Sequence, residues 1–269
     1  MAKNQHFWKK YLSTSEDVNL ESQEEKDALE EGLESLSWFE NSKRAVKRTF
    51  GKPHDSLGEV IGNSVTHGVM AAFFLGMIPY AAIRSYTHAP EGMEVLDAVG
   101  IAFYMIGTFL MFLVSTLYHM SKNGSTHKYV TSKIDHVMVY LAIACTYTPV
   151  WLCLIGGGLG LGMCIAQWSV ALACVFLKLF VFTFTKSKLS RFISTVICLL
   201  LGWIIVVCAG KFYAAATAPC FWLILAGGIC YTVGIVFNIG KYKFSHMIWH
   251  LLVDAGAICH FIGLVYFFR

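Results

Sequence analysis

VIGNSVTHGVMAAFFLGMIPYAAI, residues 60–83, decides the fold. No aspartate, glutamate, lysine or arginine interrupts it, and it exceeds the about 20 residues that a helix needs to cross the hydrocarbon core of a bilayer. Its two strongly polar side chains, Asn63 and His67, lie one helical turn apart near one end of the run.

Six further segments follow the same pattern, at residues 98–119, 134–155, 161–184, 192–209, 219–239 and 246–268. Each approaches the spanning length, and the fifth is the shortest. The breaks between them hold turn formers or charges: Pro90 to Gly92, Lys122 to Gly124, Gly156 to Gly158, Lys186 to Lys188, Pro219, and Gly240 with Lys241. Composition agrees, since 56% of the chain is hydrophobic and only 14% charged, against roughly a quarter charged in soluble domains. The expected fold is an all-α membrane protein, a seven-helix bundle over residues 56–269 behind a polar tail at 1–55. No basic face with interleaved aromatics points to nucleic acid. The bilayer is the expected environment, and no protein partner is legible.

The tail carries an acidic segment from Glu16 to Glu34, with Leu29, Leu33 and Leu36 at helical spacing, then a basic run of Lys43, Arg44, Lys47, Arg48 and Lys52. It does not open like a signal peptide, and the basic run suits anionic lipid headgroups. Lysine and arginine also set the expected orientation. The basic run, Lys122, Lys128 and Lys133, Lys186, Lys188 and Arg191, and Lys241 and Lys243 fall on one side. The other side has Arg84, Lys211 and Arg269. Positive residues concentrate in the cytoplasm, so the N-terminus is expected inside and the C-terminus on the far side, in a plasma or other cellular membrane. That is opposite to G-protein-coupled receptors. The nine cysteines form no Cys-x-x-Cys pair and read as free thiols in apolar helices.

Ionisable groups inside a membrane are functional candidates by default, and here they gather at one depth. Glu59, Asn63 and His67 open the first span, Ser115 and His119 close the second, Asp135 opens the third, and His246 and His250 open the seventh. His246-x-x-x-His250 puts two imidazoles on one helical face. Three neutral imidazoles with an open fourth position make a catalytic type of zinc site, whereas oxygen-only ligation would suit calcium or magnesium.

These same residues carry a resemblance. Glu59-x-x-x-Asn63-x-x-x-His67, Ser115-x-x-x-His119 with Asp135 after it, and His246-x-x-x-His250 resemble the motifs of the haemolysin III family, related to the progestin and adipoQ receptors and the monocyte-to-macrophage differentiation factors. Thr146-Tyr-Thr-Pro149 and Ile248-Trp-His250 are also similar, and the resemblance runs from about residue 54 to the end. It implies a zinc ion at the cytoplasmic leaflet held by His119, His246 and His250, with Asp135 as the carboxylate that contacts the metal's water and Ser115 behind the ligands. Glu59, Asn63 and His67 are expected to give packing and hydrogen-bonding support. Asp254 stands one turn beyond His250, where relatives commonly have an apolar residue. It reads either as an acceptor or proton relay behind the ligands, or as a helix contact through Lys178 or Tyr231. His260 lies ten residues past His250, roughly 15 Å deeper at 1.5 Å per residue, so it cannot share that metal.

Three functions compete, the amide-lipid substrate, the receptor role and the pore each being what the resemblance implies. A zinc-dependent hydrolase of an amide lipid such as ceramide would use Asp135 on the attacking water. A lipid or hormone receptor or signalling protein would use zinc structurally. A haemolysin-type pore would need polar residues along the whole span, but the polar residues cluster at one end, and Gln167, Asn238 and His260 are too few to line a channel.

Overall fold

The computed structural model describes residues 56–122, 125–181, 188–240 and 242–268. The acidic and basic segments of the tail, Lys186, Lys241 and Arg269 lie outside these. Every element among the described residues is helical: α1 (Leu57–His88), α2 (Glu94–Met120), α3 (Thr126–Pro149), α4 (Gly157–Phe176), α5 (Lys188–Gly202), α6 (Ala209–Ala215), α7 (Ala218–Ile239) and α8 (Ser245–Phe261). Four short π or 3-10 segments extend α3, α4 and α8 and join α5 to α6. Seven helices are long and apolar enough to cross a membrane, so the protein is an integral, multi-pass membrane protein. Large apolar side chains such as Val207, Val236 and Leu251 face outward without cover, as lipid contact requires.

Local chemistry explains the ends. Ser56 caps α1 through a capping box, its side chain accepting from Glu59 N while the Glu59 carboxylate accepts from Ser56 N. The first span therefore starts at Leu57 and runs to His88, longer at both ends than hydropathy marks. A tight link at Gly92 (φ +80°) returns the chain antiparallel as α2. After Pro149 the third span widens into a π turn, Val150–Ile155, which ends where Gly156 N donates to Trp151 O at 2.9 Å, a bond five residues long. Gly156 and Gly157 both take positive φ and reverse the chain into α4. Pro219 enters α7 in its first turn, where the absent N–H costs nothing.

Asp55–Met120 and Thr131–Arg269 form one compact unit. Within it α1 packs chiefly on α2, and α7 on α8. The third span is the most enclosed, 67% of its window buried, and the fifth the least, at 11%, so the fifth lies against lipid. The core between them holds Phe74, Tyr104, Met105, Phe112 and Trp151. Small residues bring backbones close. A Cβ on Gly107 would come within 2.5 Å of the Cys145 side chain. All nine cysteines are free.

The fifth span differs most from expectation. It is not a short helix ending at 209. It breaks after Gly202, passes through the 3-10 segment Ile204–Cys208, and resumes as α6 to Ala215. A break in hydrocarbon frees carbonyls that must be met by protein. Gln167 Nε2 donates to Leu201 O at 3.3 Å, and the Tyr147 hydroxyl donates to Gly202 O. Trp203 Nε1 donates to Thr232 Oγ1 at 2.9 Å and pins the break to α7.

Candidate metal centre

The cluster is assembled where α1 begins, α2 ends, and α3 and α8 begin. Phe244 precedes α8 with φ of 63°, and its backbone N–H donates to Glu59 Oε1 at 2.8 Å. The other oxygen of Glu59 accepts from Ser56 N and Oγ, both at 2.8 Å. Glu59 thus ties the first turns of α1 and α8 together.

His246 and His250 then face one way, one turn apart. His250 Nδ1 lies 3.1 Å from Asn63 O and 3.3 Å from Thr66 Oγ1. A carbonyl can only accept, so Nδ1 carries the proton and Nε2 carries the lone pair. That Nε2 stands 3.2 Å from His246 Nε2. Two nitrogens each ~2.0–2.1 Å from a tetrahedral zinc would stand about 3.3 Å apart, so the pair fits one ion. His119, from the last turn of α2, closes the group: one nitrogen from each of His119, His246 and His250 lies within 4.8 Å of the others. These three residues could hold a metal ion. A backbone carbonyl on the remote nitrogen is the usual way a protein fixes the tautomer of a ligating histidine.

His67 does not join the ligands. Its ring stacks on that of His250 at 3.6 Å and 6°, with Phe112 edge-on at 5.0 Å. His67 Nε2 lies 3.7 Å from Asp254 Oδ1, and Asp254 also stands near the Tyr231 hydroxyl. The Asn63 side chain is fully buried and its amide has no hydrogen-bond partner. Asn63 acts through its carbonyl. Thr66, which sequence reasoning missed, carries no motif signal, because its role depends on where α8 crosses α1.

The Ser115 side chain hydrogen-bonds Asp135. Both line a cavity of about 260 Å³ together with His67, His246 and His250. The cavity continues past Val253 to His260, between apolar walls given largely by α3, the fifth span and α7.

Comparison with known proteins agrees with this picture. The sequence profile of the family described as "Haemolysin-III related" matches residues 58–261. The chain is 35% identical to "Hemolysin-3" of Bacillus cereus over 211 residues, 78% of this chain and 91% of that protein. It is 32% identical to the "Hemolysin-3 homolog" of Bacillus subtilis (strain 168), over 79% of this chain and 95% of that protein. It is 26% identical to the human "Monocyte to macrophage differentiation factor", over 60% of this chain and 67% of that protein.

Proposed function

The chain belongs to the haemolysin-III related family, and from that premise we propose that it is a membrane-embedded zinc hydrolase acting on the amide bond of a ceramide-like lipid. The observation that carries this reading is the convergence of three imidazoles, His119, His246 and His250, two of which, His246 and His250, line a cavity with apolar walls. An all-nitrogen set suits zinc better than calcium or magnesium. Zinc held by three imidazoles supplies Lewis acidity and makes water a usable nucleophile near neutral pH.

The protein's own groups divide the remaining work. Asn63 O and Thr66 hold His250 in one tautomer. Asp135 shares the cavity with His246 and His250, and Ser115 orients its carboxylate. In this reading Asp135 takes a proton at its carboxylate oxygen and returns it to the departing amine. The apolar walls receive the acyl chain and keep bulk water from the carbonyl.

The test begins with zinc per chain in detergent-purified protein, beside a His246→Ala/His250→Ala double variant. About one zinc in the wild type and almost none in a folded double variant is expected. Asp135→Ala should then keep its zinc and lose amide-lipid turnover by about 10²–10⁴-fold. A well-folded wild type without zinc would return the histidines to core contacts. Zinc whose removal unfolds the bundle, with no turnover of amide lipids, would favour the receptor reading with a structural metal.

A further inference from the structure

The cavity does not become wholly apolar with depth. At its far end stand His260 from α8 and Tyr231 from α7. Their rings meet edge-on, with centroids 5.3 Å apart at 77°. Both rings are held by missing side chains. A Cβ on Gly227 would come within 2.3 Å of the His260 ring, and one on Gly256 within 2.8 Å of the Tyr231 ring. His260 Nε2 lies 3.1 Å from Ile224 O. Since the carbonyl accepts, Nε2 carries the proton and Nδ1 is left as a bare acceptor.

Three other hydroxyls on the wall are already used within the protein. Thr146 donates to Ala142 O at 2.7 Å, Thr232 to Gly228 O at 2.7 Å, and Tyr147 to Gly202 O. The Tyr231 hydroxyl and His260 Nδ1 make no protein hydrogen bond among the described residues. An otherwise apolar cavity with a few unfilled polar groups uses them to orient what it binds.

We propose that His260 Nδ1 and the Tyr231 hydroxyl form a second polar anchor for a lipid that carries a hydroxyl on its chain. The hydroxyl would stand about 15 Å from the headgroup, the rise of the ten helical residues between His250 and His260. Because Nδ1 only accepts, the ligand group must donate, which selects a hydroxyl over an ether or ester oxygen. The inference deepens the reading of this cavity as a lipid site and rests on it.

Binding of octadecanoic acid and 12-hydroxyoctadecanoic acid to the full chain in detergent, by isothermal titration, tests it. The hydroxyl of the second acid stands about as far from its carboxyl as the anchor from His250. The wild type should bind the hydroxy acid about 3–10-fold more tightly, the worth of one net hydrogen bond. Tyr231→Phe and His260→Phe should each shrink that preference and leave octadecanoic acid unchanged. Tyr231→Phe removes a single oxygen, so it decides alone if His260→Phe fails to fold. Equal affinity of the wild type for the two acids, or a preference that Tyr231→Phe leaves intact, overturns the anchor while the lipid cavity stands. Binding of neither acid overturns the lipid site and the anchor with it.

Discussion

Asp254 is the side chain least at ease in this bundle. It is largely buried, its Oδ1 makes no hydrogen bond, and His67 Nε2 stands 3.7 Å from that oxygen, beyond hydrogen-bond reach. A buried carboxylate so poorly met opposes folding. Leucine has similar bulk and no polar atoms, so Asp254→Leu should melt at the same or a higher temperature, by up to about 1–3 kcal/mol, and should keep its metal. Thermal unfolding with metal analysis checks both. Loss of metal would instead assign the carboxylate to holding His67 against His250. At this scale the sequence reveals chemistry better than partners. His119, His246 and His250 were legible because their type and turn-spaced pairing survive without coordinates. The tautomer of His250 was not, since Asn63 acts through a carbonyl that every residue possesses. Asp254 was expected either behind the ligands or at a helix contact through Lys178 or Tyr231; it stands beside His67 and near Tyr231, because only the crossing of the helices decides which neighbours it meets.

Elements obey hydropathy until backbone groups inside the membrane need partners. Residues 219–239 were expected as the sixth span, and α7 is Ala218–Ile239. The fifth was expected to stop at 209, because apolar content marks where a span sits and is blind to a break within it. The break at Gly202 depends on side chains from other helices, Gln167 on α4 and Tyr147 on α3. Nothing local announces that Gln167, fully buried, serves a carbonyl 34 residues away. Tyr147→Phe tests this dependence. Its ring can still stack on Trp151, with centroids 5.4 Å apart, while Gly202 O loses its donor. The expected cost is about 1–3 kcal/mol, the penalty of an unmet buried acceptor. Limited proteolysis in detergent should detect faster cleavage near residues 202–208 before the rest of the bundle opens. An unchanged melting temperature and cleavage rate would mean that the freed carbonyl finds another donor.

For the whole molecule, one asymmetry orders everything else. The metal-competent histidines sit where α1 starts, α2 ends and α8 starts, so they lie at one end of the bundle. The loops at that end also carry most of the lysines and arginines, among them Lys122, Lys133 and Lys243, while Arg84 and Lys211 are at the other. Positive loops stay in the cytoplasm during insertion. The proposed orientation therefore puts the metal end at the cytoplasmic leaflet, and the cavity would be filled by lipids of that leaflet. Single substitutions in two loops separate the alternatives. Glu91→Cys marks the link between α1 and α2, and Ser125→Cys the link between α2 and α3; neither removes a positive charge. In intact cells a membrane-impermeant maleimide should label Glu91→Cys well above the wild-type background of nine native thiols. Ser125→Cys should label only after the cells are opened. The reverse pattern would place the histidines at the outer leaflet and leave any hydrolase to draw its substrate from outside. Labelling of both positions in intact cells would mean dual insertion, and the charge asymmetry would then not be what sets the topology.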